Sequence, residues 1–282
     1  MLKTLMKQIK EFKAASIATP FFMLLEVLME TVVPFLMASI IDDGVNVPGG
    51  DIRHICIVGA WMIAAAAGGL FAGLMGGKYG AYASAGFAKN LRQAMYYNIQ
   101  TFSFANIDKY STAGLVTRMT TDVTNVQNSY MMILRMGMRA PASMICAMVA
   151  AFLINGRIAS IYLIAVVLLG CVLFFIIRKA NKYFNIVFEK YDDLNASVQE
   201  NVSAIRVVKA YVREEYETNK FANASAKVYN MFVKAESIIA CNMPVMMFTV
   251  YTCILLISWV GAHMIVSDSI TTGNLMSLLA YC

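Results

Sequence analysis

Polar residues in this chain gather into a few intervals, and the apolar stretches between them are too long to be strands. A bilayer core about 30 Å thick takes roughly 20 apolar residues per helical crossing. Five stretches have that character: Ala14–Ile41, Ile52–Gly77, Ala140–Ile154 extended on its N-terminal side by Tyr130–Met138, Ile158–Ile177 and Ile238–Ile265. A sixth, Leu275–Cys282, is too short to cross. The stretches are continuous rather than alternating, which predicts helices and not the strands of a barrel. The expectation is an all-α membrane protein of six-helix pattern, its sixth helix cut short.

The connections are of two kinds. Asp42–Asp51 with Pro48, Gly49 and Gly50, then Asn155–Arg157, then Ser267–Gly273 are short and carry turn chemistry. Lys78–Arg139 and Arg178–Lys234 each run to roughly sixty residues, far beyond an ordinary loop, yet they keep a helical period. In the second, Phe184, Val187, Tyr191, Leu194, Val198, Val202 and Ile205 form a stripe expected to be a packing seam. In the first, Leu91, Met95, Ile99 and Phe102 descend, while Val123, Val126, Tyr130 and Leu134 ascend. An arm of about 25 residues at 1.5 Å each reaches on the order of 35 to 40 Å past the bilayer. The arms must turn, around Asn106–Gly114 and around Ala204–Glu217. Ile52–Ile154 and Ile158–His263 therefore repeat one plan of span, arm, tip, arm and span.

Composition excludes a soluble domain: of 282 residues 59% are hydrophobic and 14% charged, and the mean hydropathy is +0.63. Charge sets the orientation. Of the 23 lysines and arginines, all but Arg53 and Arg157 lie in the N-terminal segment or the two long connections. These are expected on the cytoplasmic side of a plasma membrane, with the N-terminus inside. Met1–Lys13 sets Lys3, Lys7 and Lys10 among Leu2, Leu5, Met6 and Ile9, which predicts a basic amphipathic helix on the membrane surface, or else a few solvating lysines before a span. The net charge of +6 follows the topology, pointing to anionic headgroups and no nucleic acid. Cys56, Cys146, Cys171, Cys241, Cys253 and Cys282 stand mostly singly and read as small buried residues, with no metal-ligand spacing. With His54 and His263 as the only histidines, no catalytic constellation and no metal site is expected.

The two long connections resemble a known family. Leu91–Val126 (LRQAMYYNIQTFSFANIDKYSTAGLVTRMTTDVTNV) and Asn195–Phe221 (NASVQENVSAIRVVKAYVREEYETNKF) look like the intracellular segments of the transmembrane domain of ABC exporters, the class that includes bacterial multidrug and lipid exporters. Gly261–Tyr281 resembles the start of that family's sixth span. The resemblance implies an elbow helix over 1–13 and a transmembrane domain over 14–282, incomplete at its C-terminus and without a nucleotide-binding domain. It implies a first coupling helix near Ser111, Thr112, Ala113, Gly114, Leu115, Val116, Thr117 and Arg118. A second would lie near Ile205, Arg206, Val207, Val208, Lys209, Ala210, Tyr211, Arg213 and Glu214. Gly114, Arg118, Asp122, Glu200, Asn201, Arg206, Lys209 and Glu214 look like family positions, the alternative being that they cap and solvate long helices. A second half-transporter, identical or not, and nucleotide-binding domains docked at the coupling helices are the implied partners. No cofactor is implied in this chain; ATP and Mg2+ would sit on the missing domain.

The phosphate-binding loop G-x-x-x-x-G-K-[ST] is not met. Its nearest approach, Ala72–Tyr79 (AGLMGGKY), lacks the first glycine and the hydroxyl residue and lies in a span, so the chain alone should not hydrolyse ATP. A secondary transporter or channel is the rival class, although it does not call for paired long arms. A membrane enzyme would need a catalytic set that is not found. Within the spans, Glu26 and Glu30 are one turn apart, as are Arg135 and Arg139, so either pair lines a translocation cavity or the two satisfy one another. Gly69, Gly73 and Gly77, four apart, predict a close helix approach or a hinge. Pro20, Pro34 and Pro244 are candidate kinks. Met243, Met246 and Met247 are packing residues or a flexible binding surface.

Overall fold

A computed structural model describes residues 2–48, 50–103 and 110–282, so Met1, Gly49 and the 106–109 portion of the expected first tip lie outside it. All regular structure among the described residues is helical. In chain order it comprises α1 (Leu2–Met6), a 3-10 turn (Lys7–Phe12), α2 (Lys13–Ser39), a π-helical turn (Ile40–Val45), α3 (Ile52–Gln100) and α4 (Thr112–Thr117). There follow a second π-helical turn (Arg118–Asp122), α5 (Val123–Ile154), α6 (Gly156–Ser203), α7 (Ile205–Ala210), α8 (Glu214–Ala240), α9 (Asn242–Val266) and α10 (Thr272–Ala280). Among the described residues five helical stretches are long and apolar enough to cross a membrane: Thr4–Val45, Ile52–Gln100, Thr112–Ile154, Gly156–Ser203 and Glu214–Val266. The 49 residues of α3 make a rod of about 74 Å, more than twice the hydrocarbon thickness, so span and arm are one continuous helix.

The chain divides into two compact units. The first comprises Met1–Ala159 with Ser258–Tyr281. Its core runs along α2, α3 and α5, where Met23, Val27, Ala72, Ala83, Phe87 and Val123 are nearly inaccessible. Close approach of α3 to α2 depends on missing side chains. A Cβ added at Gly76 would collide with the Met23 side chain, and one at Gly73 would lie 3.0 Å from a Glu26 oxygen. Gly69 faces Met29, but an added Cβ at Gly77 meets nothing within 4 Å. The expected stripe of Gly69, Gly73 and Gly77 is thus corrected to Gly69, Gly73, Gly76 and Gly80. Steps of exactly four drift off the contact face of a helix with 3.6 residues per turn.

At the N-terminus the expected amphipathic helix is broken. Lys10 takes φ 39° and ψ −113°, a kink inside the 3-10 turn whose far end delivers Phe12 into the core. Phe12 is buried edge-on to Tyr82, with ring centroids 5.1 Å apart, in the space left by Gly86. Asn90 Nδ2 donates to the Gln8 carbonyl at 3.0 Å, fastening the same segment to α3. At the other end of α2 the helix persists through a π turn, so the loop expected from Asp42 begins only at Asn46. That turn carries Asp42 to the start of α10, where Oδ1 accepts from Gly273 N–H at 2.9 Å and Oδ2 from the Thr271 hydroxyl. Pro34 lies inside α2, and beside it α10 and its C-cap fasten to α2: Tyr281 donates to Thr31 O at 2.6 Å and Ser277 to Pro34 O.

The second unit comprises Ser160–Ile257 with Cys282. The stripe expected on α6 packs only in part. Val187 is 2% exposed and Phe184 meets Phe232 of α8 edge-on at 6.1 Å, whereas Val198, Val202 and Ile205 remain exposed towards the tip. Of the six cysteines, all expected to be buried, only Cys253 is; Cys146 is half-buried, and Cys56, Cys171, Cys241 and Cys282 are exposed.

Candidate functional site

Three features concentrate polar chemistry, and the first lies inside a span. Glu26 and Glu30 stand one turn apart on α2, facing α5. Arg139 of α5 reaches both, Nη1 to Glu26 Oε1 at 2.8 Å and Nη2 to Glu30 Oε1 at 2.7 Å. Exposure separates the two acids, with 14% of the Glu26 side chain accessible against 51% for Glu30. The Glu26 carboxylate rests against Gly73, and its Oε2 is buried with no hydrogen-bond partner among the described residues. Two clefts adjoin the cluster. One of about 300 Å³ is lined by Glu26, Met29, Glu30, Val33 and Leu70. The other, about 200 Å³, is lined by Glu30, Thr31, Pro34, Ser143 and Tyr281. Arg135 does not join them, since its Cγ and Cδ lie over Gly80 at 3.5 Å from where a Cβ would be. Of the four residues expected to line a cavity or pair with one another, three converge through ion pairs.

The second feature is the described part of the first tip. Ser111 Oγ caps α4 by accepting from Gly114 N–H at 3.1 Å, and a Cβ at Gly114 would stand 2.9 Å from that oxygen. No residue of α4 is buried. The Arg118 guanidinium lies over the Tyr110 ring at 5.7 Å. Arg92 on α3 donates to the Met119 carbonyl at 3.3 Å and to Thr124 Oγ1 at 3.2 Å, stitching the two arms behind the tip. Sequence reasoning did not single out Arg92. The only available signal was a charged residue following Leu91 on the inward face of an arm.

The third feature is the second tip. A turn at Ala204 and the residues Tyr211–Arg213 set off α7, and Val212 there takes φ 49°, a left-handed conformation that a β-branched residue rarely adopts. Lys209 Nζ pairs with Glu214 Oε1 at 3.0 Å. The Glu214 carboxyl is held below its usual range, first by its own backbone N–H at the start of α8 and then by Lys209. Asn201 Nδ2 donates to Glu217 Oε2 at 3.0 Å, and Lys220 lies 3.5 Å from Glu200 and 3.9 Å from Glu217. The Arg213 guanidinium covers the Tyr216 ring at 5.5 Å. Beside these ties a cleft of about 450 Å³ opens between Val198, Val202, Ile205, Val208 and Phe221. Val207 and Tyr211 point outward, 57% and 75% exposed. AGLMGGKY lies wholly inside α3, where its amides are committed to the helix and cannot wrap phosphates. Among the described residues no group of His, Cys, Asp and Glu is arranged to hold a metal.

Five crossing-length helical stretches among the described residues, several of them running on into long arms, define a multi-pass helical membrane domain. The chain belongs to the ABC transporter transmembrane region family, whose pattern matches residues 16–282. It is 33% identical over 259 residues to the ABC transporter ATP-binding protein YfiB of Bacillus subtilis, covering 92% of this chain and 45% of that protein. An ABC transporter ATP-binding protein of Mycobacterium tuberculosis is 27% identical over 282 residues, covering all of this chain and 48% of its own length. The ATP-dependent lipid A-core flippase of Syntrophus aciditrophicus is 26% identical over 193 residues, 67% of this chain and 32% of the flippase. The chain thus spans about half the length of the first two relatives.

Proposed function

We propose that this chain forms the translocation pathway of an ATP-driven exporter and receives the force of ATP binding through its two tips. The observation that carries the reading is the pair of short helices, α4 and α7, each exposed and each at the end of a long arm, with α7 tied to α8 by Lys209 and Glu214 and the two arms behind α4 stitched together by Arg92. Such ties make a lever: displacement of α4 or α7 passes to a helix that continues into the membrane. In this reading Ser111–Arg118 and Ile205–Glu214 are docking surfaces for nucleotide-binding domains that hold ATP and Mg2+. The N-terminus and tips face the cytoplasm, the membrane is the plasma membrane, and a second half-transporter, identical or not, completes the pathway. Nucleotide then biases an equilibrium between inward- and outward-open arrangements. Similarity to a flippase supports an amphiphile taken from the membrane as cargo.

The test needs no known cargo. In a protein that joins this chain, its native cysteines replaced by serine or alanine, to ATP-binding domains of the relatives' kind, Thr31→Cys is placed beside the clefts and labelled with an impermeant maleimide. Trapping with ATP and vanadate is expected to change the labelling rate, and Val207→Asp with Val116→Asp to abolish the change while ATP hydrolysis continues. Labelling that ignores nucleotide in the unmodified tips sinks the reading in favour of a transporter not driven by ATP.

A further inference from the structure

We infer that the cleft beside Glu30 is a binding site for the cationic group of an amphiphile, an inference that rests on the pathway reading above and narrows its cargo. One guanidinium serves two carboxylates here, each through a separate nitrogen, so the cluster retains one excess negative charge within a span. Arg135 does not cancel it. Its stem lies over Gly80, seven residues from Gly73 and so about 10 Å away along α3. The cluster also has unused acceptor capacity, because Glu26 Oε2 is buried without a partner. A charge left over within a span attracts a counter-charge more strongly than the same charge in bulk water.

The two acids have different parts. Glu26 is fixed from both sides, by Arg139 and by the backbone at Gly73, where any side chain would press on its carboxylate. It is a positioning residue that keeps Arg139 occupied. Glu30 is half exposed, borders both clefts and has Oε2 outside the Arg139 bond, so it is the acid that a cation can reach. Met29, Val33 and Leu70 give the larger cleft apolar walls with an adaptable thioether, suited to an apolar body carrying one positive charge. An anionic headgroup would meet the excess negative charge at the same place.

The test uses tetraphenylphosphonium and tetraphenylborate, ions of similar size and opposite sign. The full-length protein bearing this chain is purified in detergent, without nucleotide, and bound radiolabelled tetraphenylphosphonium is measured by equilibrium dialysis. Saturable binding is expected, weakened tenfold or more by Glu30→Gln, retained by Glu30→Asp, and lost in Leu70→Trp, which fills the cleft and leaves the charges in place. Tetraphenylborate should not compete. Equal binding by wild type and Glu30→Gln, or tighter binding of the borate, overturns the inference. Glu30-dependent binding in a protein whose Thr31→Cys labelling ignores ATP would overturn the exporter reading and leave the cation site standing. The opposite pair of results would do the reverse.

Discussion

Replacing Arg139 by Met measures how the charge cluster is supported. The substitution keeps an unbranched apolar stem and removes both ion pairs, leaving two carboxylates one turn apart without a counter-charge. Breaking a buried pair costs about 3 to 5 kcal/mol, whereas exposed pairs are worth about 0.2 to 1 kcal/mol. Glu26, with 14% of its side chain accessible, belongs near the first regime; Glu30, at 51%, belongs near the second. Membrane interactions also measure smaller than in water-soluble proteins because the unfolded chain finds other partners. A loss of about 2 kcal/mol follows, nearly all of it from Glu26. Adding Glu26→Gln to Arg139→Met should therefore recover more than about half of the loss, and adding Glu30→Gln less than about 0.5 kcal/mol. Unfolding of the purified protein in mixed micelles, titrated with SDS and followed by circular dichroism, gives the double-mutant cycle. If Glu30→Gln restores as much stability as Glu26→Gln, burial is not what ranks these acids and the reasoning fails.

Val212→Gly removes the left-handed strain at the second tip and should stabilise it by up to about 1 kcal/mol, seen as slower hydrogen exchange across 204–217; faster exchange would show that the strain is not there. Gly86→Leu should evict Phe12, forfeiting about 2 kcal/mol of burial and speeding tryptic cleavage after Lys10 and Lys13, while unchanged cleavage would contradict the packing. The Glu214 carboxyl is depressed in the folded chain, so its tie to Lys209 is complete above the ordinary glutamate range and is lost as pH falls through the lower folded value. Protection against exchange at the α7–α8 junction, taken relative to the intrinsic rate at each pH, should therefore fall only below the ordinary glutamate range, and a fall beginning near neutrality would count against it.

The spans, the arms and the second tip were legible in the sequence because each rests on a periodic signal: length for a crossing, a stripe for an arm, and an interruption of the stripe for a turn. The broken N-terminal helix was not legible, since Lys10 fits an amphipathic pattern and only the demand that Phe12 reach Gly86 bends the chain there. The π turn escaped for a similar reason. Asp42 and Asp43 read as the start of a loop, and the donors at Thr271 and Gly273 that draw Asp42 onward lie about 230 residues away. Pairing in the charge cluster was visible as equal spacing of two acids and two arginines. Which arginine would be used was not, because the choice depends on how α5 sits beside α2. Side-chain direction favours the outcome, as a helical residue leans towards its own N-terminus and carries Arg135 away from the acids.

The hydroxyls that α10 offers to α2 fix a phase between the two helices. Tyr281 and Ser277, one turn apart, meet Thr31 and Pro34, and Asp42 closes the far end on Gly273. Sliding α10 by a single residue would rotate both hydroxyls off their acceptors beside Pro34 and break the Asp42 bonds to Gly273 and Thr271 as well. Intermediate offsets are thus disfavoured, and the pair behaves as a keyed joint. Any rearrangement of the domain must carry α2 and α10 together or break all three attachments in one step.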